Sequence, residues 1–226
     1  MGRSRCRARS AAGEGLRLMP QLGVTQQTSV LRANVAGIAD SLIAEEGVPA
    51  STGPARLVLL MGLPASGKSH FARLLAERVG GVVVATDALR RRLFVAPSYV
   101  RSESSLVFAV ARALVRRLLL RGHVVIVDAT NLRERDRAPL YAEARAAAAP
   151  LVIVRIVAPE LAIKDRLALR AARTSTADAS DADWAIYQMM LRRYQEPSRP
   201  YLTIDTSGNL QAELVRIEEA IRLASV

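Results

Sequence analysis

Cysteine is almost missing from this chain: Cys6 stands alone in 226 residues, which excludes a disulfide framework and any zinc site built from several thiolates. Lysine is nearly as scarce. It occurs only as Lys68 and Lys164, and arginine supplies the other 30 of the 32 basic residues. The two histidines, His70 and His123, lack the partner spacing that a metal site needs, and aromatic residues make up 4% of the chain. Long apolar runs are absent too. The longest, Ala146–Val154, contains Pro150 and falls far short of the roughly 18–20 residues of a membrane span. The expectation is a soluble, cytoplasmic protein with no membrane partner.

What is present supports a packed core, with 50% hydrophobic and 23% charged residues. The net charge is +11, and most of it lies from Arg56 onward, where 26 basic residues face 17 acids. So heavy an arginine bias beside so much alanine fits a GC-rich genome. The charge suits anionic ligands, nucleotides or nucleic acid, without choosing between them. Residues 1–25 read as a disordered basic tail, or as a segment preceding a start at Met19; no apolar stretch suggests a secretory signal. Residues 26–55 form an amphipathic helix, Gln26–Glu46, with Leu31, Val35, Ile38 and Leu42 at helical spacing, then a linker from Gly47 to Pro54. The helix packs on the domain or on a partner. Residues 56–226 form the main domain.

In that domain short apolar runs alternate with helical stretches. Strands are expected at Leu57–Met61, Val82–Ala85, Val124–Val127, Leu151–Val157 and Tyr201–Ile204. Helices are expected at Ser69–Val79, Leu89–Phe94, Glu103–Leu120, Arg137–Ala148, Glu160–Ala172, Asp183–Tyr194 and Leu210–Leu223. Near-continuous apolar strands belong in a sheet covered on both faces, so the class is α/β, a three-layer sandwich with a mainly parallel five-stranded sheet.

The first strand runs into Gly62-Leu63-Pro64-Ala65-Ser66-Gly67-Lys68-Ser69, which matches G-x-x-x-x-G-K-[ST] in the strand-to-helix context that motif requires. Backbone N–H groups of such a loop wrap a phosphate chain, and the following helix adds its positive end. Lys68 reaches the β and γ phosphates, and the Ser69 hydroxyl ligates Mg2+. One of only two lysines stands here, where a compact ammonium suits the slot better than a guanidinium fork. His70 adjoins the loop and is counted with it. ATP and Mg2+ are therefore the expected cofactors.

Val124–Val127 ends in Asp128, the form of a Walker B strand, and Asp128 either helps hold Mg2+ or caps the turn. Ala129 follows where hydrolytic motors carry Glu, and no N-K-x-D segment is present, which disfavours a motor and a GTPase. Asp87 ends the second strand on the same sheet edge. It can take a proton from an attacking hydroxyl or cap the next helix, while Arg90, one turn on, can meet an anionic acceptor. Arg166, Arg170 and Arg173 share one helix face and lead into the polar stretch Thr174–Asp183, suited to a lid; they close over the nucleotide or form a solvated face.

These segments together resemble a family. Gly62–Ser69, Thr86-Asp87-x-x-Arg90, Asp128-Ala129-Thr130-Asn131 and the arginine-bearing lid are similar to the P-loop kinases of the polynucleotide-kinase type, an AAA-type ATP-binding group. Ser180-Asp181-Ala182-Asp183-Trp184, Gln188 and Glu196-Pro197 are similar to bacterial kinase domains often fused to aminoglycoside-phosphotransferase-like domains. The resemblance covers residues 56–206, with His70 in place of the family's common Thr. It implies a P-loop sandwich of strand order 2-3-1-4-5 with a helical lid, Asp87 as acceptor-side base, Arg90 as acceptor contact, and lid arginines among Arg166, Arg170 and Arg173. The function expected is phosphoryl transfer from ATP to a hydroxyl, on a small molecule in preference to a polynucleotide 5′-hydroxyl. For the latter, Arg90, Arg91 and Arg92 would line the groove. A nucleotide-dependent switch that uses the 26–46 helix is the alternative from another class.

Overall fold

The computed structural model describes residues 24–49, 51, 53–173 and 178–225. All but the last two residues of the expected 1–25 tail lie outside them, as do residues 174–177 and the side chains of 173 and 178–183. The elements in chain order are α1 (Val24–Ala33), α2 (Val35–Glu45), β1 (Arg56–Met61), α3 (Lys68–Val79), β2 (Val82–Ala85), α4 (Thr86–Leu93), α5 (Arg101–Leu120), β3 (Val124–Asp128), α6 (Glu134–Ala146), β4 (Leu151–Val157), α7 (Glu160–Arg173), α8 (Asp178–Leu191), β5 (Leu202–Asp205) and α9 (Leu210–Leu223). Two compact units result. One comprises the chain up to Pro49 with Ala88–Leu114, the other Ala50–Asp87 with Val115–Val226.

The second unit holds a five-stranded sheet of order β2-β3-β1-β4-β5, parallel at every pairing, with helices on both sides. This is the order that the resemblance implied. Leu57, Val58, Leu59 and Leu60 are all fully buried, as a central strand with two covered faces requires. Val58, Leu60, Ile126, Val154 and Ile156 point to one face, where Phe71, Ala72 and Leu75 of α3 meet Leu214, Ile217 and Ile221 of α9. Each such side chain contributes about 1.5–3 kcal/mol by leaving water. The register aligns Leu60 and Ala85 with Asp128, so β1, β2 and β3 end at one edge.

The first unit corrects the expectation of a single helix over 26–46. Asn34 breaks it: its side chain accepts the Gly37 N–H at 3.2 Å and caps α2. A short polar side chain that competes for backbone donors favours such a cap over a helix interior. The apolar residues Leu31, Ile38, Ala39, Leu42 and Ile43 are buried. Arg92 of α4 donates to Glu45 and Glu46, and Arg32 donates to Ser105. Helix starts also differ. α4 begins at Thr86 and α6 at Glu134, each three residues early, because the polar residues that read as turn are first-turn residues with acids at the positive helix end. α8 begins at Asp178, five residues before the expected start at Asp183 and inside the polar stretch read as suited to a lid.

His123 lies at the turn into β3, buried, with Nε2 lacking a protein partner. Burial, helped by Arg121, holds its imidazole below the usual range, so the fold keeps it neutral. The folded state then binds fewer protons than the unfolded chain below about pH 6.5, and the stability His123 contributes is lost as pH falls. Urea midpoints should drop between about pH 7 and pH 5. His123→Phe should flatten that limb, and an unchanged slope would refute the assignment.

Candidate functional site

The loop from Gly62 to Gly67 leaves β1 at the shared sheet edge and enters α3 at Lys68. Its shape needs glycine twice. A Cβ on Gly62 would lie 2.6 Å from the Ile156 carbonyl oxygen, and Gly67 has φ +89° with Thr206 pressed against it. Ala65 also adopts a left-handed conformation, φ +59°. Such a conformation in a residue with a Cβ is costly and needs support from its surroundings. The Gly62 N–H donates to the Thr130 carbonyl at 3.2 Å, which ties the loop to the segment after β3. The Ser66 hydroxyl is buried without a protein partner.

Lys68 and Asp128 form an ion pair, with both side chains mostly shielded from solvent. Ser69 is exposed at the start of α3, and the adjacent His70 receives a hydrogen bond on Nδ1 from Arg73. Asp87 is exposed in the first turn of α4, on the edge shared with the loop, and Thr86 before it points its hydroxyl at the Asp128 carbonyl. Among the described residues no group of three or more His, Cys, Asp or Glu could hold a metal. Ser69 and Asp128 do offer hard oxygens at one edge, the sparse donor set that Mg2+ takes when substrate phosphates complete its shell.

The arginines take positions that their spacing did not reveal. Arg90 is buried, its guanidinium directed to Glu103 at 3.2 Å and Ser104 at 3.1 Å and stacked over Tyr99. Glu103 is fully buried. Burial alone would raise its carboxyl, but donors from Ser98 and Tyr99, with Arg90 beside it, hold it below the usual range. Arg166 points into the phosphate loop: Nη1 donates to the Ala65 carbonyl at 3.1 Å and to the Thr206 hydroxyl at 3.0 Å. Arg170 lies one turn further along α7, and the side chain of Arg173 is outside the described residues. Lid and loop also share an apolar contact, with Ile163, Leu167 and Tyr187 packed against Leu63 and Ala65. Trp184 stacks on Tyr187, and Lys164 sits over Trp184.

Sequence reasoning missed Arg137. It is fully buried and donates to the carbonyls of Asn131 (2.8 Å), Gln195 (2.9 Å) and Glu196 (3.1 Å) and to the Glu134 carboxylate. The Gln195 N–H reaches the Leu132 carbonyl at 2.8 Å, and the Gln195 side chain accepts the Glu134 N–H. The segment after the lid helices is thereby stitched to the loop after Asp128. Asn131 sits at φ +47° and donates to the Leu60 carbonyl, extending the seam to β1. The only signal was an arginine six residues past Asn131, one of 30, and spacing does not show burial. Arg137→Met should lower unfolding free energy by about 3 kcal/mol, because it leaves three carbonyls and a carboxylate without their donor. Arg137→Lys should recover little, since an ammonium cannot span that set. A loss below about 1 kcal/mol in urea denaturation would contradict this.

Comparison with known proteins bears on this site. An uncharacterized protein of Mycobacterium tuberculosis (strain ATCC 25618 / H37Rv) is 35% identical over 149 residues, 57% of this chain. The match spans 30% of that longer protein. Among solved structures, a Chloroflexus aurantiacus j-10-fl protein aligns with TM-score 0.63 and 17% identity, covering 77% of this chain and 100% of that one. The Mycobacterium tuberculosis APS kinase, solved with AMPPNP and APS, aligns with TM-score 0.57 and 19% identity over 75% of this chain and 99% of the kinase. At these identities the likeness is one of fold, the P-loop kinase sandwich. The AAA domain family profile matches residues 57–197, from β1 to the segment held by Arg137. With more than half of its length matched, the chain belongs to the AAA domain family.

Proposed function

We propose that the chain is an ATP- and Mg2+-dependent phosphotransferase that moves the γ-phosphoryl group of ATP to a hydroxyl on a small molecule. The observation that carries this reading is the Lys68–Asp128 pair under a glycine-shaped loop, at the edge where Asp87 is also exposed. Loop N–H groups and the start of α3 receive the phosphates. Lys68 is placed to exchange Asp128 for phosphate oxygens, and Ser69 and Asp128 are the residues that would then hold the ion. Mg2+, when bound, neutralises charge across the phosphates.

Asp87 takes the acceptor's hydroxyl proton. As it does so the acceptor oxygen bonds to the γ phosphorus, the bond to the β–γ bridging oxygen breaks, and ADP leaves. Arg170 and Arg173 remain the candidates to answer charge on the transferred group from the lid, while Arg166 is engaged with the loop. Arg90 holds the backbone at Ser98 and Tyr99 through Glu103.

Support for a small acceptor comes from the arginines that a polynucleotide would need. Arg90 and Arg92, two of the three candidates, are already paired with carboxylates. The APS kinase neighbour, solved in complex with AMPPNP and APS, has the same fold. Burial of Ile38, Ala39, Leu42 and Ile43 of α2 within the chain supports this reading over a partner-binding switch.

Calorimetry should show Mg2+-dependent ATP affinity that Lys68→Ala abolishes. Asp87→Asn should keep that affinity within a few-fold while transfer to any acceptor found by ADP release falls about 10²–10⁴-fold. Labelled ATP with a 5′-hydroxyl oligonucleotide tests the polynucleotide reading in the same assay. No ATP affinity in the parent protein would sink the enzyme reading, and undiminished transfer by Asp87→Asn would remove the base.

A further inference from the structure

Resting on that nucleotide reading, we infer that Thr206 is a positioning residue that holds the phosphate-binding loop in its gripping shape, and that Arg166 works through it. The loop's two left-handed residues, Ala65 and Gly67, bracket Ser66, and the carbonyls of Ala65 and Ser66 are held from outside. The Thr206 hydroxyl donates its one hydrogen to the Ser66 carbonyl at 2.7 Å and accepts from Arg166 Nη1 at 3.0 Å. The same Nη1 donates to the Ala65 carbonyl, and Nη2 donates to the Thr206 carbonyl at 3.3 Å.

In a trans peptide the carbonyl and the next N–H point opposite ways. Holding the Ser66 carbonyl against Thr206 therefore turns the Gly67 N–H to the other side of the loop, as one of the donors a phosphate would meet. The Ala65 peptide is fixed likewise, its following N–H closing a turn on the Leu63 carbonyl at 3.2 Å. Gly67 completes the argument. A Cβ there would come within 2.9 Å of Thr206 Oγ1, so glycine lets Thr206 approach as well as letting the backbone turn.

Thr206 is itself firmly placed. Its N–H donates to the Val157 carbonyl at the end of β4. On its flank the Ser207 N–H and hydroxyl both donate to the Asp205 carboxylate, at 2.8 and 2.7 Å. Those donors, with Arg166 nearby, hold the Asp205 carboxyl below its usual range. The clasp thus joins four points of the chain: the loop, the end of β4, the end of β5 and α7. None of its members needs to touch a nucleotide, since each acts through loop carbonyls.

The probe is inorganic tripolyphosphate with Mg2+, which offers the loop a phosphate chain and no base or sugar. Thr206→Val keeps the side-chain shape and removes both hydrogen bonds. It should weaken tripolyphosphate and ATP by the same factor, about tenfold. Thr206→Ser, which keeps the hydroxyl, should restore affinity to within about threefold of the parent. Arg166→Met should cost at least as much, because it also frees the Ala65 carbonyl, and the double variant should lose less than the product of the two factors, because both changes break the shared Arg166–Thr206 hydroxyl contact.

A Thr206→Val protein that binds tripolyphosphate like the parent overturns the inference while leaving the nucleotide reading intact. So does a loss confined to ATP, which would make Thr206 a base or sugar contact, or a fully additive double variant. If Thr206→Val does not fold, Thr206→Ser and Arg166→Met decide: the inference stands only if Ser retains binding and Met loses it. A parent protein that binds neither ATP nor tripolyphosphate removes both readings together.

Discussion

Parallel pairing of β1 with β3, in the one register that sets Leu60 beside Asp128, is the constraint from which the site follows. Parallel strands end on the same side, and the loops after them are gathered whether or not they are near in sequence. Register also has to be right to the residue, since a slip of one would turn each fully buried strand residue to the opposite face. The buried runs Leu57–Leu60 and Val125–Val127 hold it against α3, α9 and the helices of the other face. The edge that carries Lys68 and Asp128 is thus set by apolar packing along the strands behind it.

That edge carries a balanced charge arrangement. An ammonium and a carboxylate, each largely withdrawn from solvent, neutralise one another where a polyphosphate would otherwise meet an uncompensated carboxylate. Around them the polar backbone is fastened by side chains: Thr206 and Arg166 hold the carbonyls of Ser66 and Ala65, and Asn131 and Arg137 hold those of Leu60 and Asn131. Preorganised donors cost little reorganisation when a charged ligand arrives. The apolar seam of Ile163, Leu167 and Tyr187 against Leu63 and Ala65 links this arrangement to the lid helices.

Much of this was legible in the residues. The strands announced themselves as near-continuous apolar runs, and the loop announced itself through glycine spacing and a lysine placed where arginine was plentiful. Local competition was harder to see. Asn34 looked like one polar residue on an amphipathic helix, yet its side chain caps a new one. The fastening side chains were not legible at all. Arg166 meets Ala65 across 101 residues of chain and Thr206 meets Ser66 across 140, distances at which composition and periodicity carry no signal. Arg166 was picked out for its helical face and then found serving backbone carbonyls. Thr206 had one available clue, its place just beyond a parallel strand on the ligand-binding edge of the sheet.

Scarcity of lysine has a practical sequel. Only two side-chain amines exist, one in the phosphate loop and one on α7, ion-paired with Glu160 and lying against the Trp184 ring. An acylating reagent carried on a nucleotide tail therefore has a two-way choice. The ratio of adducts at Lys68 and Lys164 becomes a chemical ruler for how far the helical arm leans over the bound tail, with a tryptophan's emission as an internal witness at the second position.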